Sequence, residues 1–206
     1  MAYATRNKRP PRTLTEEEIR RLLKVTGDSR IGFRDHVLLS LALSTGLRES
    51  EIVALDVADV RREGTTPKRT IQLRVFKRGG GKADPEAQRV PLSDSCFYKL
   101  EKYLRVTGYT DGPLFRSRGG RGSQAGARLS ARAVRKLFRT WQARAKFDHA
   151  YAFHHLRHTA VTNIYRSAGD VRVAQKFARH ANLQTTTIYA HVTDEDVLRA
   201  AKRLAS

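Results

Sequence analysis

The chain is 206 residues long, enough for one well-buried core, and its 40% apolar content is that of an ordinary globular domain. Forty Lys and Arg against twenty Asp and Glu leave a formal charge of +20, spread from Arg6 to Arg203 rather than gathered in a tail, so the expected partner is a nucleic acid. Cys96 is the single cysteine, which excludes a disulfide framework and a Cys-based zinc site; no apolar run is long enough for a membrane span and no secretory signal opens the sequence, so a cytoplasmic protein is expected.

Residues 1–13 are basic and Pro-containing without periodicity, and read as a linker or arm. Thr15 and Glu18 form the pattern of a capping box that opens a helix with Ile19, Leu22 and Leu23 on one face. Residues 33–44 form a second, strongly apolar helix, interrupted by Gly46. A short helix begins near Arg48 and runs through Leu55, and residues 57–61 are a candidate strand. Ile71, Leu73 and Val75 alternate with polar residues over 70–76, the pattern of a half-buried strand. Residues 89–92 read as the returning edge strand, where Pro91 is tolerated. The turn between them holds Lys77, Arg78, three glycines and Lys82. It is not a nucleotide-binding loop, because Ala83 stands where Ser or Thr is needed and Phe76 where Gly is needed.

From Asp94 the chain is helical again, with Phe97, Leu100, Tyr103 and Leu104 in register. Residues 116–128, rich in Gly and Arg, read as a mobile loop. Ser130 then caps a helix carrying Val134, Leu137, Phe138 and Trp141. Four shorter helical stretches follow, over 154–167, 171–179, 183–191 and 195–204. The expected fold is mainly α with a small antiparallel β-sheet (α+β).

Arg48 and Glu51 are three apart on one helical face, so the carboxylate can hold a guanidinium whose planar fork suits two oxygens of one phosphate. Taken alone, the pair reads as a surface ion pair. His154 and Arg157 share a face in the same way, setting a proton-transfer group beside a phosphate clamp. His154 and His158 have the spacing of zinc ligands, but His155 occupies the place of the general-base Glu and Arg157 would repel the cation. His180 closes one helix and Asn182 caps the next. Tyr189 follows three consecutive threonines, a poor helix by propensity, so tertiary contacts or substrate must hold it. A tyrosine taken alone reads as a core residue with a satisfied hydroxyl.

Together, Arg48, His154, Arg157, His180 and Tyr189 stand in the order and spacing of the tyrosine recombinase, or phage integrase, family. Over nearly all of residues 13–206 the sequence resembles a Xer-like catalytic domain of that family. Residues 45–51 resemble its first arginine box, 154–159 its second, and 180–191 its third, nucleophile included. The resemblance implies the DNA breaking-rejoining fold and a site-specific recombinase or integrase acting on double-stranded DNA. Tyr189 then attacks the scissile phosphate, forming a 3′-phosphotyrosyl bond and releasing a 5′-hydroxyl. Arg48 and Arg157 bind the non-bridging oxygens, His154 assists proton transfer at the tyrosine, His180 donates to the phosphate and Glu51 orients its neighbours. A lysine on the sheet turn protonates the leaving oxygen; Lys77 and Lys82 are both candidates, with Lys77 favoured because it follows the strand directly. Phosphotyrosine conserves the energy of the broken bond, so no cofactor, metal, ATP or small-molecule substrate is implied.

The expected DNA contacts are Arg78, Lys82, Arg116, Arg118, Arg121, Arg128 and Arg179. Val197, Leu198, Ala201 and Leu204 give the C-terminal helix an apolar stripe that either docks on a neighbouring copy, as the resemblance implies, or folds back on its own domain. Two departures from the family pattern stand out. Arg179 occupies a position that is usually glycine, and no N-terminal core-binding domain precedes Thr13, which divides the sequence into an arm (1–13) and a catalytic domain (14–206). The competing expectations are type IB topoisomerase-like relaxation without strand exchange, and a DNA-binding regulator without turnover. A metal-dependent nuclease is disfavoured by the absence of a carboxylate cluster.

Overall fold

The computed structural model describes residues 11–27, 32–74, 88–120, 123–180 and 182–189. Helix α1 (Glu16–Gly27) opens on the expected capping box: the Thr15 amide donates to Glu18 Oε2 at 2.8 Å and the Glu18 amide to Thr15 Oγ1 at 3.2 Å. Helix α2 (Phe33–Thr45) is apolar on nearly every side because it packs against α1 and two later helices. Val37, Leu38, Leu39, Leu41 and Ala42 are completely buried, and each larger side chain contributes about 1.5–3 kcal/mol by leaving water. The helix stops at Gly46, whose φ of 60° is left-handed and whose amide caps the Ala42 carbonyl. Helix α3 (Glu49–Ala54) starts immediately after Arg48.

Residues 57–61 do not form the expected third strand. They begin helix α4 (Val57–Val60), where the Asp56 amide donates to Asp59 Oδ2 at 2.8 Å, and burial of Val57 and Val60 overrides their strand propensity. Only Arg61 keeps strand character, in an isolated bridge to Pro67. Strands β1 (Thr70–Gln72) and β2 (Arg89–Pro91) pair antiparallel, with buried Ile71 opposite buried Val90. Helix α5 (Asp94–Thr107) is capped by Ser93 and packs on α2.

The Gly- and Arg-rich segment is also not the mobile loop its composition suggested. It forms a hairpin of β3 (Arg116–Gly120) and β4 (Ser123–Arg128). Gly119, at φ 83°, lies so close over Ala125 that an added Cβ would sit 3.3 Å from the alanine methyl, so glycine here permits close pairing. Arginines anchor both strands at the open end of the hairpin. Arg116 stacks 3.8 Å over the Tyr109 ring, and Arg128 donates to the carbonyls of Val53 and Leu55 at 2.8 and 3.1 Å and pairs with Asp56.

Ser130 caps α6 (Ala131–Arg144) as expected, and its Trp141 donates to buried Asp35 of α2 at 2.9 Å. Gln142 clasps the Tyr151 backbone in both directions, at 2.9 and 2.7 Å. That clasp, together with a 3.1 Å bond from the Tyr151 hydroxyl to Glu18, fixes the approach to α7 (His154–Ala168). Helices α8 (Val171–Ala178) and α9 (Gln184–Thr187) complete the described fold. The main core runs from Leu14 to Leu156. A second, smaller cluster gathers Val161, Ala174, Ala178 and Tyr189, with Phe177 and Ile188 against it. Among the described residues no helix is long and apolar enough to cross a membrane.

Candidate active site

The smaller cluster carries Tyr189 to the place where α3, α7 and α8 converge. Of the helical stretch expected over 183–191, the described residues form only the four-residue helix α9, in keeping with the poor propensity of three successive threonines, and Asn182 supports its start by accepting from the Gln184 amide at 2.8 Å. The chain then turns, with the Tyr189 amide bonded to the Thr186 carbonyl at 3.0 Å, and the tyrosine ring is buried at 6% exposure. Its hydroxyl oxygen lies 2.5 Å from Nδ1 of His158. Burial pushes the phenol pKa upward, opposed by the nearby positive charges of Arg157 and Arg48.

Burial, then the charges of His154, His155 and Arg157, pull the His158 imidazole down to about 4. At neutral pH the pair is therefore neutral on both sides, and with the imidazole proton on Nε2 the phenol donates to Nδ1. His154 is exposed, and its ring meets that of His158 edge-on at 5.1 Å. The imidazole at the tyrosine oxygen is thus His158, which sequence reading weighed only as a zinc ligand. The signal was present: positions 154 and 158 share a helical face, one turn apart.

Arg157 is buried and joins two helix ends, donating to the Gly46 carbonyl at 2.6 Å and to the Ala178 carbonyl. Both acceptors lie at helix C-termini, where a cation is favoured. Burial and the charges of Arg48 and Arg179 lower its pKa to about 10, which leaves it charged. Arg48 bonds Glu51 twice, through its backbone amide at 2.7 Å and through Nη1 at 2.8 Å, so the expected ion pair is present. Glu51 is fully enclosed and accepts a third bond, at 2.7 Å, from Arg179 Nη2.

His180 lies parallel to the Tyr189 ring, 6.4 Å away between centroids, and its Nδ1 is 2.9 Å from Thr186 Oγ1. A hydroxyl donated to Nδ1 leaves the proton on Nε2, free to face a ligand. Burial, followed by Arg157, Arg48 and Arg179, lowers this histidine to about 4. Arg48, Glu51, Arg157, His180 and Tyr189 thus come together, with His154 at the rim. Among the described residues no three His, Cys, Asp or Glu side chains gather as a metal would need.

The remaining expected contacts divide. Lys77, Arg78, Lys82, Arg121 and the helical stretch expected over 195–204 lie outside the described residues. Arg116 and Arg128 are tied into the hairpin, and Arg118 lies 3.8 Å from Asp35. Arg179, with its side chain 2% exposed, sits inside the site against Glu51.

The phage integrase family model matches residues 12–196. The chain belongs to the phage integrase family. Within it, the tyrosine recombinase XerC of Vibrio parahaemolyticus serotype O3:K6 is 33% identical over 202 residues, covering 96% of this chain and 60% of that protein. The chain therefore spans about three fifths of the length of the curated relatives it matches. Among solved structures, XerA recombinase superposes with a TM-score of 0.73 at 25% identity, over 100% of this chain and 68% of that one. The Tn1549 transposon integrase, solved with a circular intermediate DNA, gives a TM-score of 0.73 at 19% identity, over 96% of this chain and 67% of that one, a likeness of fold.

Proposed function

We propose that this phage integrase family member is a site-specific recombinase that cuts and rejoins double-stranded DNA through Tyr189. The observation that carries the reading is the 2.5 Å contact between the Tyr189 hydroxyl and a neutral imidazole, beside two arginines. In the proposed step the Tyr189 oxygen bonds to phosphorus, the bond from phosphorus to the 5′-oxygen breaks, and the phenolic proton passes to His158 Nδ1. His154, expected to assist proton transfer at the tyrosine itself, stands one ring further out and passes the proton on toward solvent. Arg48 and Arg157 hold the non-bridging oxygens, and His180 donates to them through Nε2. Lys77, or alternatively Lys82, protonates the leaving 5′-oxygen. Reversal of the same steps by a second 5′-hydroxyl completes strand exchange with no metal or nucleotide.

The formal charge of +20 supports DNA as the partner, and the DNA-bound Tn1549 integrase shares the fold. With that partner the protein works in the cytoplasm on its DNA, as a catalytic domain over 14–206. Its C-terminal apolar stripe is the proposed contact with a second copy. Supercoiled plasmid carrying two copies of a candidate site tests the reading. Recombinant circles support it. Relaxed topoisomers alone point to type IB-like relaxation, and salt-sensitive binding with neither product points to a regulator; either outcome contradicts it.

A further inference from the structure

Glu51 is the enclosed carboxylate at the centre of the site, and three guanidiniums surround it. Arg48 and Arg179 bond it directly, while Arg157 approaches within reach of its charge. Arg179 reaches it at two physical costs. Its backbone adopts φ 55°, the left-handed region that L side chains rarely take, and its Nε is buried without a partner. The left-handed turn is built into the end of α8, where the amides of Arg179 and His180 cap carbonyls of the last turn. Glycine meets that requirement freely. An arginine here carries a guanidinium into the interior, and the 2.7 Å bond to Glu51 Oε2 is what compensates its charge.

The consequence falls on Arg48. A carboxylate bonded to Arg48 alone would neutralise the charge that Arg48 must present to a phosphate. Attack on a phosphodiester by a phenolate builds a phosphorane with about two negative charges, so the surplus of cations over carboxylates in the site matters. We infer that Arg179 is a positioning residue: it neutralises and orients Glu51 so that the charge of Arg48 remains available to the scissile phosphate. The inference rests on the recombinase reading above.

The test uses single-turnover cleavage of a nicked DNA substrate, with DNA affinity and its salt dependence measured alongside. Arg179→Gln is expected to slow cleavage on the order of tenfold at unchanged affinity, as loss of a group behind a catalytic side chain does. Adding Glu51→Gln removes the charge that Arg179 balances, so the double variant is expected to recover most of that loss. Arg179→Gly, which relieves the left-handed strain, serves as the second variant if the glutamine form does not fold. Cleavage by Arg179→Gln at the unaltered rate would overturn the inference. So would a double variant no faster than Arg179→Gln, or a loss of DNA affinity matching the loss of rate, which would make Arg179 a direct phosphate contact. Absence of any adduct from the unaltered chain would instead remove the recombinase reading itself.

Discussion

The Tyr189 hydroxyl and the His158 Nδ1 atom are 2.5 Å apart, and both groups are held neutral by burial. In the proposed reaction this contact makes His158, the histidine that follows Arg157, the proton acceptor, with His154 set outside it. His158→Ala is expected to lower the single-turnover cleavage rate about 100-fold, the scale of a lost general base. His154→Ala should have a smaller effect on the same assay. Equal losses, or a larger loss at His154, would return the role to the outer ring.

Proton linkage gives the pair a signature in stability. His158 and His180 titrate near 4 in the folded chain against an ordinary value of 6.5, so the unfolded chain binds protons first as pH falls. Their contribution is fully present above pH 6.5 and is lost as pH drops towards 4. Thermal unfolding followed from pH 7.5 to about 4 should show this decline, on top of that from carboxylates. His158→Gln and His180→Gln should each flatten it relative to the unaltered chain; identical slopes would show that neither histidine is held neutral.

Gly46 holds Arg157 by its carbonyl, at φ 60°, and an added Cβ would lie 3.1 Å from the Phe177 ring. Gly46→Ala is expected to cost about 1–2 kcal/mol from the left-handed backbone alone. Urea unfolding measures it, and a change of only a few tenths would mean the turn relaxes without strain. Cleavage should fall as well, because the residue that anchors Arg157 moves.

The hairpin arginines should behave as structural groups. Arg128 already donates to two backbone carbonyls and to Asp56, so Arg128→Ala is expected to lower stability by about 1–2 kcal/mol. A phosphate-contacting arginine would reduce the salt slope of DNA binding by about 1. Arg128→Ala should leave that slope nearly unchanged, and a full unit of change would put the residue on the DNA.

Local chemistry made much of this legible in the sequence. The Thr15 capping box, the apolar stretch of α2, the Ser130 cap and the Arg48–Glu51 pair each depend on residues within one or two helical turns. The failures came where a distant partner decides. Val57 and Val60 favour a strand until burial and the Asp56–Asp59 turn hold them helical. Residues 116–128 look mobile until Tyr109 and Asp56 anchor their arginines. The second residue bonded to Glu51 was equally hidden, since Arg179 lies 128 positions away. Only the left-handed end of α8 brings it there.

The most direct test of the central claim is a denaturing gel of the protein with nicked DNA from its own genomic neighbourhood, chelator present, beside Tyr189→Phe. The expected result is a slow-migrating protein–DNA adduct from the unaltered chain and none from the phenylalanine form, at nearly equal DNA affinity. An adduct that persists in Tyr189→Phe, or cleavage that the chelator abolishes, would contradict a tyrosine nucleophile acting without a metal.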